Sequence, residues 1–230
     1  MRSRRAGEAE GEPTPATRYP RHGGAGDFER VVFFTDAVFA IAMTLLVVEI
    51  GVPERVAGDA DDPAALLDAL GDKAPLVLAF FIGCYVIGSY WVAHHRLMSW
   101  LVAVDRGFVA LTVVYLSFVA LLPFPTGVLG EFGQNPVSVV AFAVNMGAVS
   151  TMEAVLTSHA RRRRLFREEW PADVYRWYLR GSLSPVLLFA ASMPVAFVSP
   201  WLAIAIWFLA IPLGALLDRL RPAEAGRYLP

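Results

Sequence analysis

The chain has 230 residues, of which 56% are hydrophobic and 18% charged, with a net charge of −1 and one cysteine, Cys84. Soluble domains are about 45–50% apolar, and here the excess is gathered into long blocks, which excludes an ordinary soluble domain. A single cysteine excludes an intramolecular disulfide and a paired-cysteine metal site, so Cys84, set in an apolar run, reads as a small buried hydrophobe.

Residues 1–29 are rich in Arg, Glu, Gly and Pro and contain no apolar core of a signal peptide. They read as a disordered cytoplasmic tail. No cleavage site precedes the first apolar run, which is therefore expected to stay in the protein. A spanning helix needs roughly 20 apolar residues, and residues 30–220 hold six such runs, giving an all-α integral membrane domain. Residues 221–230 form a second cytoplasmic tail. Run one is Val31 to Ile50, stopped by Pro53 and followed by an acidic loop that carries Glu54, Asp59 and Asp61. Pro63 to Leu70 reads as a short amphipathic helix in that loop.

Run two is Ala74 to about Val92 and leads into a tract, Trp91 to Trp100, that holds His94, His95 and Arg96. Run three extends from Phe108 to about Phe124 and closes at LLPFPT. Run four, Pro136 to about Thr157, carries Asn145 and Glu153, which read as polar links between helices. The basic block Arg161 to Arg164 follows and suits anionic lipid rather than nucleic acid. Runs five and six, about Ser182 to Val198 and Trp201 to Leu217, are joined by Ser199 and Pro200 alone, which predicts a tight antiparallel hairpin. Prolines inside them are tolerated because neighbouring groups satisfy the freed backbone.

With the N-terminus in the cytoplasm, 18 of the 20 basic residues fall on the cytoplasmic side, leaving Arg55 and Lys73 opposite. The excess of Lys and Arg on cytoplasmic loops fixes this orientation and places both termini inside the cell. Trp91, Trp100, Trp170, Trp177 and Trp201 fall near run ends, as an interfacial aromatic belt would.

The first run carries the chemistry. An ionised residue inside a span costs about 2.5–3.5 kcal/mol at its centre and points to function. Asp36 lies about 9 Å into run one at about 1.5 Å per residue and needs a partner. At about 100° per residue from Arg30, the residues Ala37, Ile41, Thr44, Leu45 and Val48 lie within about 60° of one line. Asp36 and Thr35 lie about 120° and 140° away from it, aimed at neighbouring helices.

The segment RVVFFTDAVFAIAMTLLVVEI, from Arg30, resembles the first-helix signature of the prokaryotic branch of the transmembrane protein 175 potassium channel family. Arg30, Phe34 and Asp36 match that signature, and Thr35 replaces its serine while keeping a hydroxyl. The segments WVAHHRLM and LLPFPT resemble the family more weakly. The resemblance implies a homotetramer of six-helix subunits in the cell membrane, around one central pore lined by the first helix. It implies a moderately selective potassium channel with a hydrophobic constriction at Ile41, Thr44 or Leu45, and Val48, and no cofactor beyond the permeant potassium ion. Arg30, Phe34, Thr35 and Asp36 would form the network that holds the tetramer, with His94 and His95 as its expected partners. Two arrangements of the constriction stay open: aliphatic rings that dewet, or a ring of four Thr44 hydroxyls.

Two other classes compete. A proton-coupled secondary transporter would use Asp36, His94 and Glu49. A membrane enzyme would use His94, His95 and Asp105. The adjacent histidines point about 100° apart on a helix and do not chelate one ion easily, and the sequence has no nucleotide loop, metalloprotease motif or nucleophile elbow.

Overall fold

A computed structural model describes residues 18–21, 26–53 and 62–228. The tail over residues 1–17 and the loop residues Glu54, Arg55, Asp59 and Asp61 lie outside the described residues. Among those described, six helical segments are long and apolar enough to cross a membrane: Asp27–Ile50, Ala74–Trp100, Arg106–Glu131, Pro136–Arg162, Ala172–Ala196 and Pro200–Arg219.

In chain order, strand β1 (Arg18–Pro20) precedes helix α1 (Asp27–Leu45), which tightens into a 3-10 turn over Val48–Ile50. Helix α2 (Pro63–Asp72) is the short loop helix, capped by Asp62, whose side chain accepts a hydrogen bond from Ala64 N at 3.0 Å. Helix α3 (Ala74–Trp100) and strand β2 (Ala103–Asp105) follow. Then come α4 (Arg106–Leu121), α5 (Pro123–Glu131), α6 (Pro136–Arg162), α7 (Ala172–Ala196), α8 (Pro200–Trp207), α9 (Ala210–Arg219) and α10 (Ala225–Tyr228).

Several boundaries differ from those the sequence suggests. Helix α3 continues through the Trp91–Trp100 tract, so Trp91, His94 and His95 lie inside the second span. The third span does not close at LLPFPT. Pro123 and Pro125 sit in the first turn of α5, where their missing N–H groups cost nothing. The break is confined to Leu122, whose carbonyl accepts from Thr126 N at 3.1 Å and from Thr126 Oγ1 at 2.8 Å. Helix α7 starts at Ala172, which puts Arg176 and Arg180 on the helix itself. Pro185 leaves the Gly181 carbonyl without its helical donor, and Ser184 Oγ fills the place at 2.9 Å. The sixth span is divided at Phe208–Leu209, four residues before Pro212, where bonds run from residue i to i−3. The predicted hairpin between the fifth and sixth spans is present: Ser199 caps α8, accepting from Leu202 N at 3.3 Å, and Trp207 Nε1 donates to Ser192 Oγ at 2.9 Å.

The ends of the expected tails are held in place. Strand β1 pairs antiparallel with β2, with Arg18 opposite Asp105, Tyr19 opposite Val104 and Pro20 opposite Ala103. Just before β2, an isolated bridge between Leu101 and Phe166 ties in the α6–α7 connection, with Val102 N donating to Leu165 O at 2.9 Å. Residues 18–21 and 27–29 are thus part of the folded domain, which shortens the expected tail. At the other terminus, Ala225 and Tyr228 pack on the core. The main core runs through Phe39 and Leu46 of α1, Ile87 and Leu97 of α3, Tyr115 and Val119 of α4, and Phe142, Met146 and Val149 of α6.

Candidate functional site

Helix α1 has two unlike faces. Gly26 starts it in the left-handed region, φ 74°, which glycine adopts without strain. Asp27 and Glu29 in the first turn favour the positive end of the helix dipole. Phe28, Thr35, Phe39 and Ala42, together with Leu46 just beyond, are buried against the rest of the subunit at helical spacing. Across the helix lie Arg30, Phe34, Ala37, Ile41, Thr44 and Leu45, all exposed on the isolated subunit. Ile41 is 57% exposed, Leu45 43% and Val48 68%. The stripe the sequence suggests is therefore a real outer face. Its last member differs from the expected continuous helix, because Val48 opens the 3-10 turn. Thr44 Oγ1 donates to the Ile41 carbonyl at 2.9 Å, which leaves the hydroxyl oxygen's lone pairs available.

The polar pair behind the stripe has other partners than expected. Thr35, 2% exposed, turns its hydroxyl back onto the Val31 carbonyl at 2.9 Å. Asp36 Oδ1 accepts from Trp91 Nε1 at 2.8 Å, tying α1 to α3. His95 reaches this pair only through its ring, 5.4 Å from that of Trp91. Neither His94 nor His95 hydrogen-bonds any of the four signature residues. The expected network divides within one subunit: Thr35 and Asp36 face inward, while Arg30 and Phe34 face out. Trp91, read as part of an interfacial belt, is the partner that the sequence did not identify. Its place on the same helix as His94 and His95 is the signal the sequence carries for it.

Deeper in the subunit, His94 Nδ1 lies 3.3 Å from Glu153 Oε2 of α6, and Asn145 Nδ2 donates to the Phe118 carbonyl at 3.1 Å. Both run-four polar residues therefore link helices, as expected. Glu49 rests over Gly127 of α5, where a side chain would collide with its carboxylate. Asp36, His94 and Glu49 thus have three separate sets of neighbours, and no hydrogen bond or ion pair joins any two of them. Nor do His94, His95 and Asp105 form a common site.

Asp105 instead caps α4, accepting from Phe108 N at 2.7 Å, and meets His159 Nε2 at 2.9 Å and Arg163 Nε at 3.6 Å. Burial opposes its charge, but the Phe108 N–H, His159 and Arg163 outweigh that and hold its carboxyl below the usual range. The sequence reading places Asp105 only in an enzyme site; in the structure it is a helix cap with histidine and arginine partners from the end of α6.

A family model described as "Endosomal/lysosomal potassium channel TMEM175" matches residues 30–123. A potassium channel from Chamaesiphon minutus is 32% identical over 188 residues, which cover 78% of this chain and 89% of that protein. A potassium channel from Streptomyces collinus is 42% identical over 116 residues, 50% of this chain, and the chain spans about half of that relative, 54%. The crystal structure of a lysosomal potassium-selective channel TMEM175 homolog from Chamaesiphon minutus superposes with a TM-score of 0.67 at 28% identity, covering 83% of this chain and 97% of that one.

Proposed function

The chain belongs to the TMEM175 family, and on that premise we propose that it is a moderately potassium-selective cation channel. In this reading four subunits surround one pore in the cell membrane, both termini lie in the cytoplasm, and α1 of each subunit faces the axis. The ligand is permeant potassium, and lipid surrounds the assembly. The observation that carries the reading is the asymmetry of α1. Its buried face is packed within the subunit, while Ile41, Thr44, Leu45 and Val48 remain exposed among the described residues.

Four aliphatic side chains meeting at one level make a narrow, poorly wetted neck. An ion crosses it only by shedding part of its hydration shell, which costs potassium less than the smaller sodium ion. Lone pairs of four Thr44 oxygens, whose protons are directed at Ile41 carbonyls, would offset some of that cost. Arg30 and Phe34, exposed near the start of α1, are placed to meet a neighbouring subunit.

The test is flux. Purified protein in liposomes with a potassium gradient should pass potassium, and Ile41→Asn or Val48→Asn should raise the rate or relax selectivity by wetting the neck. An absence of potassium flux, or flux untouched by both substitutions, defeats the reading.

A further inference from the structure

The C-terminal end of α1 draws little support from its own hydrogen bonds. Beyond Leu45 they run from residue i to i−3: Val47 N to Thr44 O at 3.4 Å, Ile50 N to Val47 O at 3.2 Å and Gly51 N to Val48 O at 3.3 Å. Such bonds have poorer geometry than those of an α-helix, and runs of them are short. Val47 and Val48 are β-branched, which disfavours continuing the α-helix, and Gly51 ends the turn at φ 60°. The turn carries Val48, so whatever fixes the turn fixes the last aliphatic residue of the exposed stripe.

In a 3-10 turn, residues three apart eclipse one another. Leu46 and Glu49 therefore project on about the same side, and each is seated on a glycine of another helix. Leu46, 1% exposed, fits over Gly83 of α3. A Cβ on Gly83 would lie 3.0 and 3.1 Å from the two Leu46 Cδ atoms and 3.1 Å from Thr126 Cγ2 of α5. Glu49 lies over Gly127 of α5, where a Cβ would meet its Cβ at 3.1 Å, its Cδ at 3.0 Å and its Oε2 closer still. Both glycines are buried, whereas Val47 and Val48 are exposed.

The contacts differ in how they can yield. The Glu49 carboxylate is the free end of a flexible side chain and can swing aside. The Glu49 Cβ cannot, because it is fixed to the backbone of the turn. Leu46 is enclosed, so its Cδ atoms have no open space to enter. A methyl group at Gly127 or Gly83 therefore displaces the turn itself, away from α5 and α3, and carries Val48 further out from its own subunit. In the channel reading, four copies of that displacement narrow the neck and make it harder to wet.

We propose that Gly127 of α5 and Gly83 of α3 are positioning residues for conduction: by seating Glu49 and Leu46 they set how far Val48 projects, so that α5 and α3 determine the width of the neck at that level. The seat is independent of the channel reading; its effect on conduction rests on that reading.

Two readouts on the full-length protein test it. In a Cys84→Ala background, which removes the chain's one cysteine, Val48→Cys reports on the turn through its rate of reaction with a charged methanethiosulfonate in detergent. Adding Gly127→Ala should change that rate several-fold. Potassium flux from liposomes, measured with Val48 in place, should at least halve in Gly127→Ala. In a Glu49→Ala background the nearest atoms of the contact are gone, and Gly127→Ala should have less than half its former effect on both readouts. A general packing role for Gly127 gives equal effects in the two backgrounds, and that result overturns the proposal. Glu49→Ala alone frees the turn and should raise the labelling rate, which serves if Gly127→Ala does not fold. A rate unchanged by both substitutions overturns the seat, and Gly83→Ala without effect on either readout overturns the part of Gly83. A changed rate with unchanged flux overturns the effect on conduction alone. A changed rate in a protein that passes no potassium in any form leaves the seat standing and removes the channel reading.

Discussion

Asp36 Oδ1 and Trp91 Nε1 meet at 2.8 Å, joining the first two spanning segments at a point where neither side chain has another hydrogen-bond partner among the described residues. A carboxylate within a span needs a donor, and the indole has only one hydrogen to give. Trp91→Phe removes that donor while keeping an aromatic ring. It should destabilise the subunit by about 2 kcal/mol, the range for a hydrogen bond to a charged group. Asp36→Asn retains an acceptor oxygen and should cost less. Thermal unfolding in detergent distinguishes them, and equal losses from the two substitutions would mean that the indole N–H is not the group that matters.

The two faces of α1 should respond oppositely to changes of size. Ala42 is 1% exposed, so Ala42→Leu inserts volume into a packed core and should cost about 1–3 kcal/mol. Ile41→Ala trims a side chain that is mostly exposed among the described residues. It should leave subunit unfolding nearly unchanged and alter flux instead. The comparison is made by melting temperature and liposome flux on the same preparations.

Glycine sets the distance between α3 and α5. A Cβ on Gly130 would lie 2.9 Å from Leu76 Cδ2 and 3.0 Å from Ala79 Cβ. Small residues at such crossings let membrane helices approach closely, and the Ala79 methyl has no rotamer by which to yield. Gly130→Ala should therefore destabilise by about 1–3 kcal/mol. Gly147→Ala, on α6 in open space, is the control and should have almost no effect on the melting temperature.

Asp105 gives the connecting loops an acid limit. Burial disfavours its charge, but the Phe108 N–H, His159 and Arg163 together lower its carboxyl below the usual range. A folded-state value below the unfolded one means stabilisation that is complete above about pH 4, the ordinary aspartate value. It is lost as pH falls through the lower folded value. Acid unfolding of the wild type should steepen in that window, and Asp105→Asn should flatten it, since its amide does not titrate. Hydrogen exchange at the Phe108 amide should rise in the variant, because the cap acceptor is weaker.

Much of the architecture was legible locally. Six apolar blocks read as six spans, Pro63 marked the loop helix, and Ser199–Pro200 marked the hairpin. The two faces of α1 followed from angular arithmetic on residues 30–48. The boundaries that differ are the ones local sequence marks: polar residues follow Val92 and surround residues 18–21, and two prolines interrupt the chain at LLPFPT. In the fold, Trp91 meets Asp36 and Arg18 of β1 pairs with Asp105, contacts between residues far apart in the chain, while the break before α5 is bridged locally by Thr126 on the Leu122 carbonyl.

The order of hydrophobic blocks, their number and the outward stripe of α1 are properties of the sequence itself. They depend on residue type and on a helical period that is the same in every context. Which polar group meets which was decided only by packing. Asp36 and Trp91 are 55 residues apart and His94 and Glu153 are 59 apart, and no local periodicity relates positions on different helices. Those pairings exist because a membrane interior offers buried donors and acceptors little besides one another, and the crossing of α1, α3, α4 and α6 determines which are within reach.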